Sequence, residues 1–278
     1  MNAPNPSSSV GIAMERLRTI VAQLRDPDAG CPWDRQQTHD SMTRYLLEEA
    51  HEVVEAIETG TDADVCEELG DLLFQIAFHA QLAQERGAYG WTDIIDSIAN
   101  KMVARHPHVF GDAQGLDDPN AVVEAWERRK QQSGRRVLDG VPRALPALQR
   151  AGRLTAKAAT VGFDWERAED VLDKADEELA ELKAAIAQGD RDAMEDELGD
   201  MLFVLANLAR KLELEPERAL RRTLAKFERR FNHVEDQLNA RGSSPSDASL
   251  QEMDALWNEA KRLERSVDTG RQVQDDTP

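Results

Sequence analysis

An internal repeat constrains the fold of this chain more than any other feature of its sequence. Residues 48–80 align without gaps on residues 177–209 at an offset of 129, and 14 of the 33 aligned positions are identical. The identities include the block Glu-Leu-Gly-Asp, which occurs at 68–71 and again at 197–200. Self-similarity of this kind indicates two copies of one structural domain.

The repeated segments carry the apolar periodicity of amphipathic helices. Two runs in each copy have apolar residues at successive steps of four, three and four positions, which places them on one helix face. Helix-forming residues dominate the chain, and the alternation typical of strands is scarce. The sequence therefore predicts an all-α fold, with two helical domains of the four-helix-bundle type in tandem. The runs are Leu46, Ala50, Val53, Ile57; Val65, Leu69, Leu72, Ile76; Ala175, Leu179, Leu182, Ile186; and Met194, Leu198, Met201, Leu205.

Composition indicates where these domains begin and end. We expect an N-terminal helical domain at residues 10–130 and a C-terminal one at 163–265. The segment 131–162 is rich in Gly and Pro and is predicted to be a linker. Residues 1–9 and 266–278 are polar and are expected to be disordered.

Acidic residues occupy matching places in all four runs. They lie three and six positions after the first apolar residue, so each pair projects from the same flank of its helix. Gly60 and Gly189 lie midway between the runs of each copy, and glycine can end a helix in the left-handed conformation. An antiparallel hairpin should then bring four carboxylates together in each half. The two sets are Glu49, Glu52, Glu68 and Asp71, and Glu178, Glu181, Glu197 and Asp200.

A cluster of four carboxylates needs a cation, because like charges at short distance repel and raise one another's pKa values. Oxygen ligands without Cys or His favour Mg²⁺, or Mn²⁺, over zinc. One alternative stays open at this point. An acidic chain makes paired acids common by chance, so the protein can also be a non-catalytic helical scaffold whose acids are merely solvated.

Three cationic residues and one tryptophan are candidate ligands for an anion such as a phosphate. Lys174 lies one helical turn before Glu178 and can reach an anionic ligand. Lys226 and Arg230 are four residues apart on a later helix and can clamp phosphate oxygens. Trp257 can stack on a base, although packing is the commoner use of a helical tryptophan.

Charge excludes several classes of partner. The formal net charge of −19 argues against nucleic acid and against anionic membranes, because both repel an acidic protein. No apolar run approaches the roughly 20 residues that span a bilayer. The N-terminal residues lack a basic region and an apolar stretch, so we expect a cytoplasmic protein rather than a secreted one.

Several motifs together resemble one known family. CPWDRQQTHDSM, LLEEAHEV, EELGDLLFQ, RHPHVFG, VGFDW, DELGDMLF and KFERRF are similar to the long, two-domain members of the MazG family of nucleoside triphosphate pyrophosphohydrolases. The resemblance covers roughly residues 11–264. It implies an all-α fold, Mg²⁺ dependence, homodimers, and binding of nucleoside triphosphates such as ATP, which are hydrolysed to the monophosphate and pyrophosphate.

The resemblance also implies roles for individual residues. Glu178, Glu181, Glu197 and Asp200 would hold the metal, and the nucleotide would be held by Lys174, Lys226, Arg230 and Trp257. Apart from the resemblance, one acid can act as general base in the attack of water, and Glu177 is our candidate. The first half keeps the metal residues Glu49, Glu52, Glu68 and Asp71, together with Lys101 and Arg105, but Tyr45 stands at the place of Lys174.

We therefore predict that the second half is the main catalytic site and that the first is weaker or regulatory. Pyrophosphohydrolases of histidine biosynthesis resemble this style of acidic helix bundle. A phosphoribosyl-nucleotide is accordingly the alternative substrate, although the tandem layout and the CPWD motif favour nucleoside triphosphates.

Overall fold

The structure is a computed structural model that describes residues 9–111 and 136–275, with side chains described for 9–111 and 136–265. The chain divides into two compact units, residues 1–117 and 118–278. The described residues form helices and turns without a strand, which confirms the predicted all-α class. Within the same ranges, every helix is too short or too polar to span a bilayer.

Eleven helices lie in the described residues, six in the first unit and five in the second. The helices of the first unit are α1 (Ser9–Leu24), α2 (Pro32–Gln36), α3 (His39–Thr59), α4 (Asp62–Glu85), α5 (Trp91–Arg105) and α6 (Pro107–Phe110). Those of the second unit are α7 (Ala147–Ala159), α8 (Ala168–Gln188), α9 (Arg191–Lys211), α10 (Pro216–Asn239) and α11 (Leu250–Asp275).

Helices α3 and α4 form the hairpin of the first unit. Helix α3 begins with a capping box, in which Thr38 Oγ1 accepts from the Ser41 N–H at 3.1 Å and Ser41 Oγ accepts from the Thr38 N–H at 2.9 Å. Asp64 Oδ2 accepts from the Thr61 N–H at 2.6 Å, so Thr61 and Asp64 form a similar box at the start of α4. These caps separate the helices by two residues, and α3 and α4 pack side by side.

The hydrophobic core of the first unit lies where α1, α3 and α4 meet. Val21, Met42 and Phe78 come from these three helices, and each is at most 1% exposed. Tyr45 and Trp91 pack on this core from its edge. Burial of a side chain of this size contributes about 1.5–3 kcal/mol, so the core holds the hairpin in place.

Helices α8 and α9 form the corresponding hairpin of the second unit. Asp190 caps α9 by accepting from the N–H groups of Asp192 and Ala193 at 3.1 and 3.2 Å. Helix α7 packs against α9 and α10, and α10 packs against α11 around Val234 and Leu256. The second hairpin is therefore supported by helices that come both before and after it in the chain.

The two hairpin glycines differ in backbone conformation. Gly189 has φ of 71°, the left-handed conformation predicted for it. Gly60 has φ of −89°, so the same prediction for Gly60 is wrong. The reason for a glycine there is close approach, because a Cβ at Gly60 would lie 2.8 Å from the Ala56 carbonyl oxygen.

Two segments that we predict to be a linker and a disordered end contain helices in the structure. Helix α7 lies inside the predicted linker 131–162 and packs on the second unit, with Ala151 and Thr155 buried. Helix α11 runs to Asp275 and so enters the segment 266–278, because no proline interrupts this part of the sequence before Pro278. Residues 131–135 and 1–8 lie outside the described residues, and the domain limits 10–130 and 163–265 stay predictions.

Much of the apolar stripe on the two hairpins is exposed in a single chain. Of the sixteen stripe positions, Val53 is buried and seven are exposed, several of them by about half or more of their surface. Exposed apolar surface of this extent marks an interaction face. The exposed members are Ile57, Leu69, Ile76, Leu179, Ile186, Leu198 and Leu205.

We predict that Phe78→Ala destabilises the first unit by about 3–5 kcal/mol, because it opens a cavity in the packed core. Urea denaturation followed by circular dichroism measures this loss of unfolding free energy. Phe110→Ala is the matched control, since Phe110 lies in the same unit and is 54% exposed. Equal effects of the two substitutions would show that Phe78 is not a core residue.

Candidate metal centre

Three carboxylates of the second unit come together across its hairpin. Glu178 on α8 and Glu197 and Asp200 on α9 each offer an oxygen, and these oxygens all lie within 4.8 Å of one another. Glu178 is only 4% exposed, whereas Asp200 faces solvent. Glu181 stands outside this group, although its charge acts on Glu197. The spacing fits oxygens that surround one cation.

The first unit repeats the arrangement with equivalent residues. Glu49 on α3 and Glu68 and Asp71 on α4 bring carboxylate oxygens within 4.8 Å of one another. Glu52, the counterpart of Glu181, again lies outside the group. Each half therefore gathers three of its four predicted carboxylates, with one from the first helix of the hairpin and two from the second.

The helical register explains why these side chains converge. Residues three apart on a helix lie on one face, which joins Glu197 to Asp200 and Glu68 to Asp71. The short connection between the helices then sets which turn of the first helix faces them. Glu178 and Asp200 lie eleven positions from Gly189 on either side, so they meet at one level.

Electrostatic repulsion shapes the proton affinity of both clusters. Desolvation raises the pKa of Glu197 above its ordinary value, and the nearby charges of Glu181, Glu178 and Asp200 raise it further. The pKa of Glu49 is raised in the same direction, first by desolvation and then by its hydrogen bond with Glu52. Such carboxylates are unfavourable as neighbouring anions and are stabilised by a divalent cation.

Lys174 accompanies the second cluster, and Tyr45 stands at the matching position of the first. Lys174 Nζ lies 2.8 Å from Glu178 Oε1 and 2.9 Å from Glu177 Oε1. Hydrogen bonds with these two carboxylates raise the pKa of Lys174 above its usual value. The equivalent residue, Tyr45, packs against Trp33 with ring centroids 5.7 Å apart. The two halves thus offer different surroundings to a bound anion.

The remaining predicted ligands of the second half lie on α10 and α11. Arg230 pairs with Glu264 at 2.7 Å, and its guanidinium lies 5.7 Å from the centre of the Trp257 ring. Trp257 also packs on Phe227, with ring centroids 5.2 Å apart. Lys226 is exposed on the same helix as Arg230.

The matching basic residues of the first half, Lys101 and Arg105, lie four residues apart on α5. Both are exposed. The ion pair of Arg230 with Glu264 holds that arginine within α10 and α11, whereas Lys174 is paired inside the acidic cluster. The structure therefore places Lys174 beside the acidic cluster of the second unit, and the roles of Lys174, Lys226, Arg230 and Trp257 toward a nucleotide stay predictions.

Sequence reasoning missed one polar residue of the first cluster. Gln75 is 4% exposed, and its Nε2 donates to Glu49 Oε1 at 3.3 Å. Its counterpart in the second half is Val204, so the signal was a glutamine at an aligned position that is apolar in the other copy. This contact positions Glu49 in a way that the second half does not reproduce.

We predict that Glu197→Gln makes the protein more heat-stable when no divalent ion is present. A raised folded-state pKa means that the stability linked to Glu197 is lost as pH rises through that pKa, so the wild type carries this cost at pH 7. The amide removes the cost and also a ligand. The variant should therefore show a higher Tm at pH 7 and a smaller Tm increase on addition of Mg²⁺.

Thermal unfolding at pH 5 and pH 7, with and without Mg²⁺, measures both effects. Glu195→Gln is the control, because Glu195 is exposed on the same helix and lies outside the cluster. It should leave the Mg²⁺ effect unchanged. A full Mg²⁺-dependent increase in the Glu197→Gln variant would contradict the assignment of Glu197 to the metal centre.

Comparison with known proteins finds the same duplication. The MazG nucleotide pyrophosphohydrolase domain matches this chain twice, at residues 37–110 and 167–235. Each match contains one helical hairpin and its acidic cluster.

Two relatives are similar to this chain over nearly their whole length, and a third is similar over about half of its length. A nucleoside triphosphate pyrophosphohydrolase of Escherichia coli K12 is 43% identical over 258 residues, which cover 90% of this chain and 98% of that protein. The nucleoside triphosphate pyrophosphohydrolase/pyrophosphatase MazG of Thermotoga maritima is 42% identical over 252 residues, which cover 90% of this chain and 96% of that protein. A nucleoside triphosphate pyrophosphohydrolase of Mycolicibacterium smegmatis is 35% identical over 172 residues, which cover 59% of this chain and 51% of that protein. The two domain matches and these identities show that the chain belongs to the MazG nucleotide pyrophosphohydrolase family.

Proposed function

We propose that this protein is an enzyme that hydrolyses nucleoside triphosphates to nucleoside monophosphate and pyrophosphate, with Mg²⁺ as its cofactor and Mn²⁺ as a substitute. One observation carries the proposal. Glu178, Glu197 and Asp200 bring oxygens within 4.8 Å in a chain of the MazG family. The relatives from E. coli and T. maritima are named for this activity, and the chain covers nearly their whole length.

The donor set of the second cluster fits Mg²⁺, because all three groups are carboxylate oxygens. When bound, the ion would neutralise phosphate charge and lower the pKa of coordinated water. Glu178, Glu197 and Asp200 would be the protein ligands. Glu181 would act from outside that set by adding negative charge, which increases the attraction for a cation.

The reaction needs a water, a base and a way to hold the triphosphate. Water attacks the α-phosphorus, and the bond from that phosphorus to the bridging oxygen of the pyrophosphate breaks. Glu177 is our candidate to accept the proton of the attacking water, since it is exposed beside Glu178 and is held by Lys174. Lys174, which pairs with Glu177 and Glu178 at the edge of the cluster, would donate to a phosphate oxygen.

Lys226 and Arg230 are proposed to bind the phosphates that lie farther from the cluster. Arginine suits bidentate contacts with phosphate oxygens, and Arg230 is held in place by Glu264 and by the face of Trp257. An acidic protein with a formal net charge of −19 repels a highly charged anion. Lys226 and Arg230 would therefore have to offset this repulsion when the triphosphate binds.

The second unit is proposed as the main catalytic site. It has Lys174 where the first unit has Tyr45, and Tyr45 is packed on the hydrophobic core rather than placed to hold a phosphate. The first unit keeps the three-carboxylate cluster and is proposed to bind metal with weaker or regulatory consequences. A helical scaffold without activity is disfavoured, because long relatives are named as hydrolases.

We predict that Glu178→Gln or Asp200→Asn lowers turnover at least about a hundredfold, because each removes a charge that stabilises the transition state through the metal. Helical circular dichroism should persist in both variants. The matched control is Glu49→Gln, the equivalent change in the first half, which should cost less.

A product assay with the eight common ribo- and deoxynucleoside triphosphates, with and without Mg²⁺, measures these effects. Monophosphate and pyrophosphate are the expected products. Diphosphate and orthophosphate would show a different cleavage, and turnover of a phosphoribosyl-nucleotide instead of the triphosphates would select the alternative substrate. A larger loss in Glu49→Gln than in Glu178→Gln would place the main site in the first half.

The protein is further proposed to be a cytoplasmic homodimer that assembles through its exposed apolar stripes. Ile57 is 63% exposed and Ile186 is 57% exposed, although both belong to the apolar face of a hairpin. A second copy of the chain would cover such faces and complete a helical bundle around each hairpin.

We predict that Ile57→Glu combined with Ile186→Glu shifts the protein from dimer to monomer, because charge cannot be buried unpaired in an apolar interface. Light scattering coupled to size-exclusion chromatography gives the mass. Val10→Glu is the control, since Val10 is 70% exposed but lies outside the hairpins. A wild-type protein that is monomeric at micromolar concentration would contradict the dimer.

A further inference from the structure

Gln75 lies beside the acidic cluster of the first unit and has no part in the chemistry described above. It follows Asp71 by four positions of α4, so the two side chains project from the same face of the helix. Gln75 is 4% exposed, and its Nε2 donates to Glu49 Oε1 at 3.3 Å. The carboxamide therefore lies against the three-carboxylate cluster.

The carboxamide oxygen of Gln75 is buried and has no hydrogen-bond partner among the described residues. An ionised carboxylate can only accept, so the bond with Glu49 assigns the nitrogen to that side and leaves Oε1 as the free acceptor. A buried acceptor without a donor is unfavourable and indicates that a bound group supplies one. Water held by a cation at the cluster is such a donor, because Mg²⁺ keeps several of its waters when a protein binds it.

The charges around the first cluster also favour a cation. Desolvation is the first cause of the raised pKa of Glu49 and of Glu68, and every neighbouring charge that adds to it is a carboxylate. In the part of the chain that the structure describes, this cluster has no counterpart of Lys174, which lies 2.8 Å from Glu178. Neutralisation of the three carboxylates therefore depends on an ion from solution.

The second cluster has no polar group at the position of Gln75. The aligned residue is Val204, which follows Asp200 by the same four positions and is 5% exposed. An apolar side chain cannot hold a water of the ion, so this side of the ion is left to other oxygens, such as those of a phosphate. The two clusters share their carboxylates but differ in the groups that surround a bound ion.

We propose that the first cluster holds a divalent ion without need of a nucleotide, with Gln75 Oε1 accepting from a water on that ion. The inference rests on the metal binding proposed above for the first unit and adds what the ion does there. Glu49, Glu68 and Asp71 are the ligands, and Gln75 is a positioning residue for one of the waters. An ion whose waters are held by the protein links α3 to α4 and stabilises their hairpin.

The alternative role for Gln75 is to orient Glu49 through the bond from Nε2, with no part for the oxygen. Two substitutions separate these roles. Gln75→Leu removes the donor and the acceptor together, and it should fold because the aligned Val204 is apolar and buried. Gln75→Glu keeps an acceptor oxygen but removes the donor to Glu49.

Calorimetric titration of the full-length protein with Mn²⁺, in the absence of nucleotide, tests the proposal. Glu197→Gln combined with Asp200→Asn removes two carboxylates of the second cluster, so this double variant reports on the first cluster. We expect it to bind one Mn²⁺ per chain. Added to it, Gln75→Leu should weaken Mn²⁺ about tenfold, the effect of losing an outer-shell partner, and Gln75→Glu should bind Mn²⁺ at least as tightly.

Thermal unfolding of the same proteins measures the stabilising role. Mg²⁺ should raise the Tm of the double variant, and Gln75→Leu should lose most of that increase while helical circular dichroism persists. Gln84→Leu is the matched control, since Gln84 is an exposed glutamine of the same helix. It should change neither the Mn²⁺ affinity nor the Mg²⁺-dependent Tm increase.

Three results would overturn the proposal. A double variant that binds no Mn²⁺ would show that the first cluster holds no ion by itself. Unchanged Mn²⁺ affinity in Gln75→Leu would show that the oxygen faces no ion-bound water. Equal weakening by Gln75→Leu and Gln75→Glu would show that the bond to Glu49 is what matters.

Turnover of triphosphates by the wild type keeps this inference separate from the proposed function. An active wild type whose double variant binds no Mn²⁺ would remove the inference alone. An inactive wild type whose double variant binds Mn²⁺ through Gln75 would remove the proposed hydrolysis and support the inference.

Discussion

Mutual repulsion among three carboxylates governs both hairpins of this protein. Helix packing holds Glu178, Glu197 and Asp200 close enough for their oxygens to lie within 4.8 Å, although desolvation and neighbouring charge raise the pKa of Glu197. The hydrophobic contacts of α7, α10 and α11 supply the stability that this arrangement costs. A divalent cation bound between these oxygens would convert the same repulsion into attraction, and this is the physical basis of the metal site that we propose.

The two units have different residues beside their repelling carboxylates. The second unit has Lys174, whose ammonium lies 2.8 Å from Glu178 and 2.9 Å from Glu177. The first unit has Gln75 beside Glu49 and the buried ring of Phe78 at the position of Asn207. One duplicated scaffold thus supports two similar clusters whose described neighbours differ.

Periodicity made the clusters predictable. The steps of four, three and four fix the angle of each acid around its helix, and the position of Gly189 between the runs sets which turns lie opposite. That arithmetic could place Glu178 level with Asp200, but it could not show that Glu181 and Glu52 lie outside the groups of oxygens within 4.8 Å. Their distances depend on how the helices cross, which no local pattern encodes.

Other features could not be predicted from the sequence, because they also depend on how segments pack in three dimensions. The complete burial of Asn207 follows from α7, which packs on α9 from outside the hairpin. The backbone at Gly60 follows from a contact with Ala56 rather than from a left-handed turn. Helix α7 was not predicted, because it lies in a stretch rich in Gly and Pro whose composition indicated a linker.

Anomalous diffraction from crystals grown with Mn²⁺ tests the central claim most directly, because it locates the ion without reference to activity. The account predicts a peak between α8 and α9 about 2.0–2.5 Å from oxygens of Glu178, Glu197 and Asp200. A weaker peak is expected at the equivalent place between α3 and α4. A protein whose hairpins hold no ion, with these carboxylates turned apart into solvent, would contradict it.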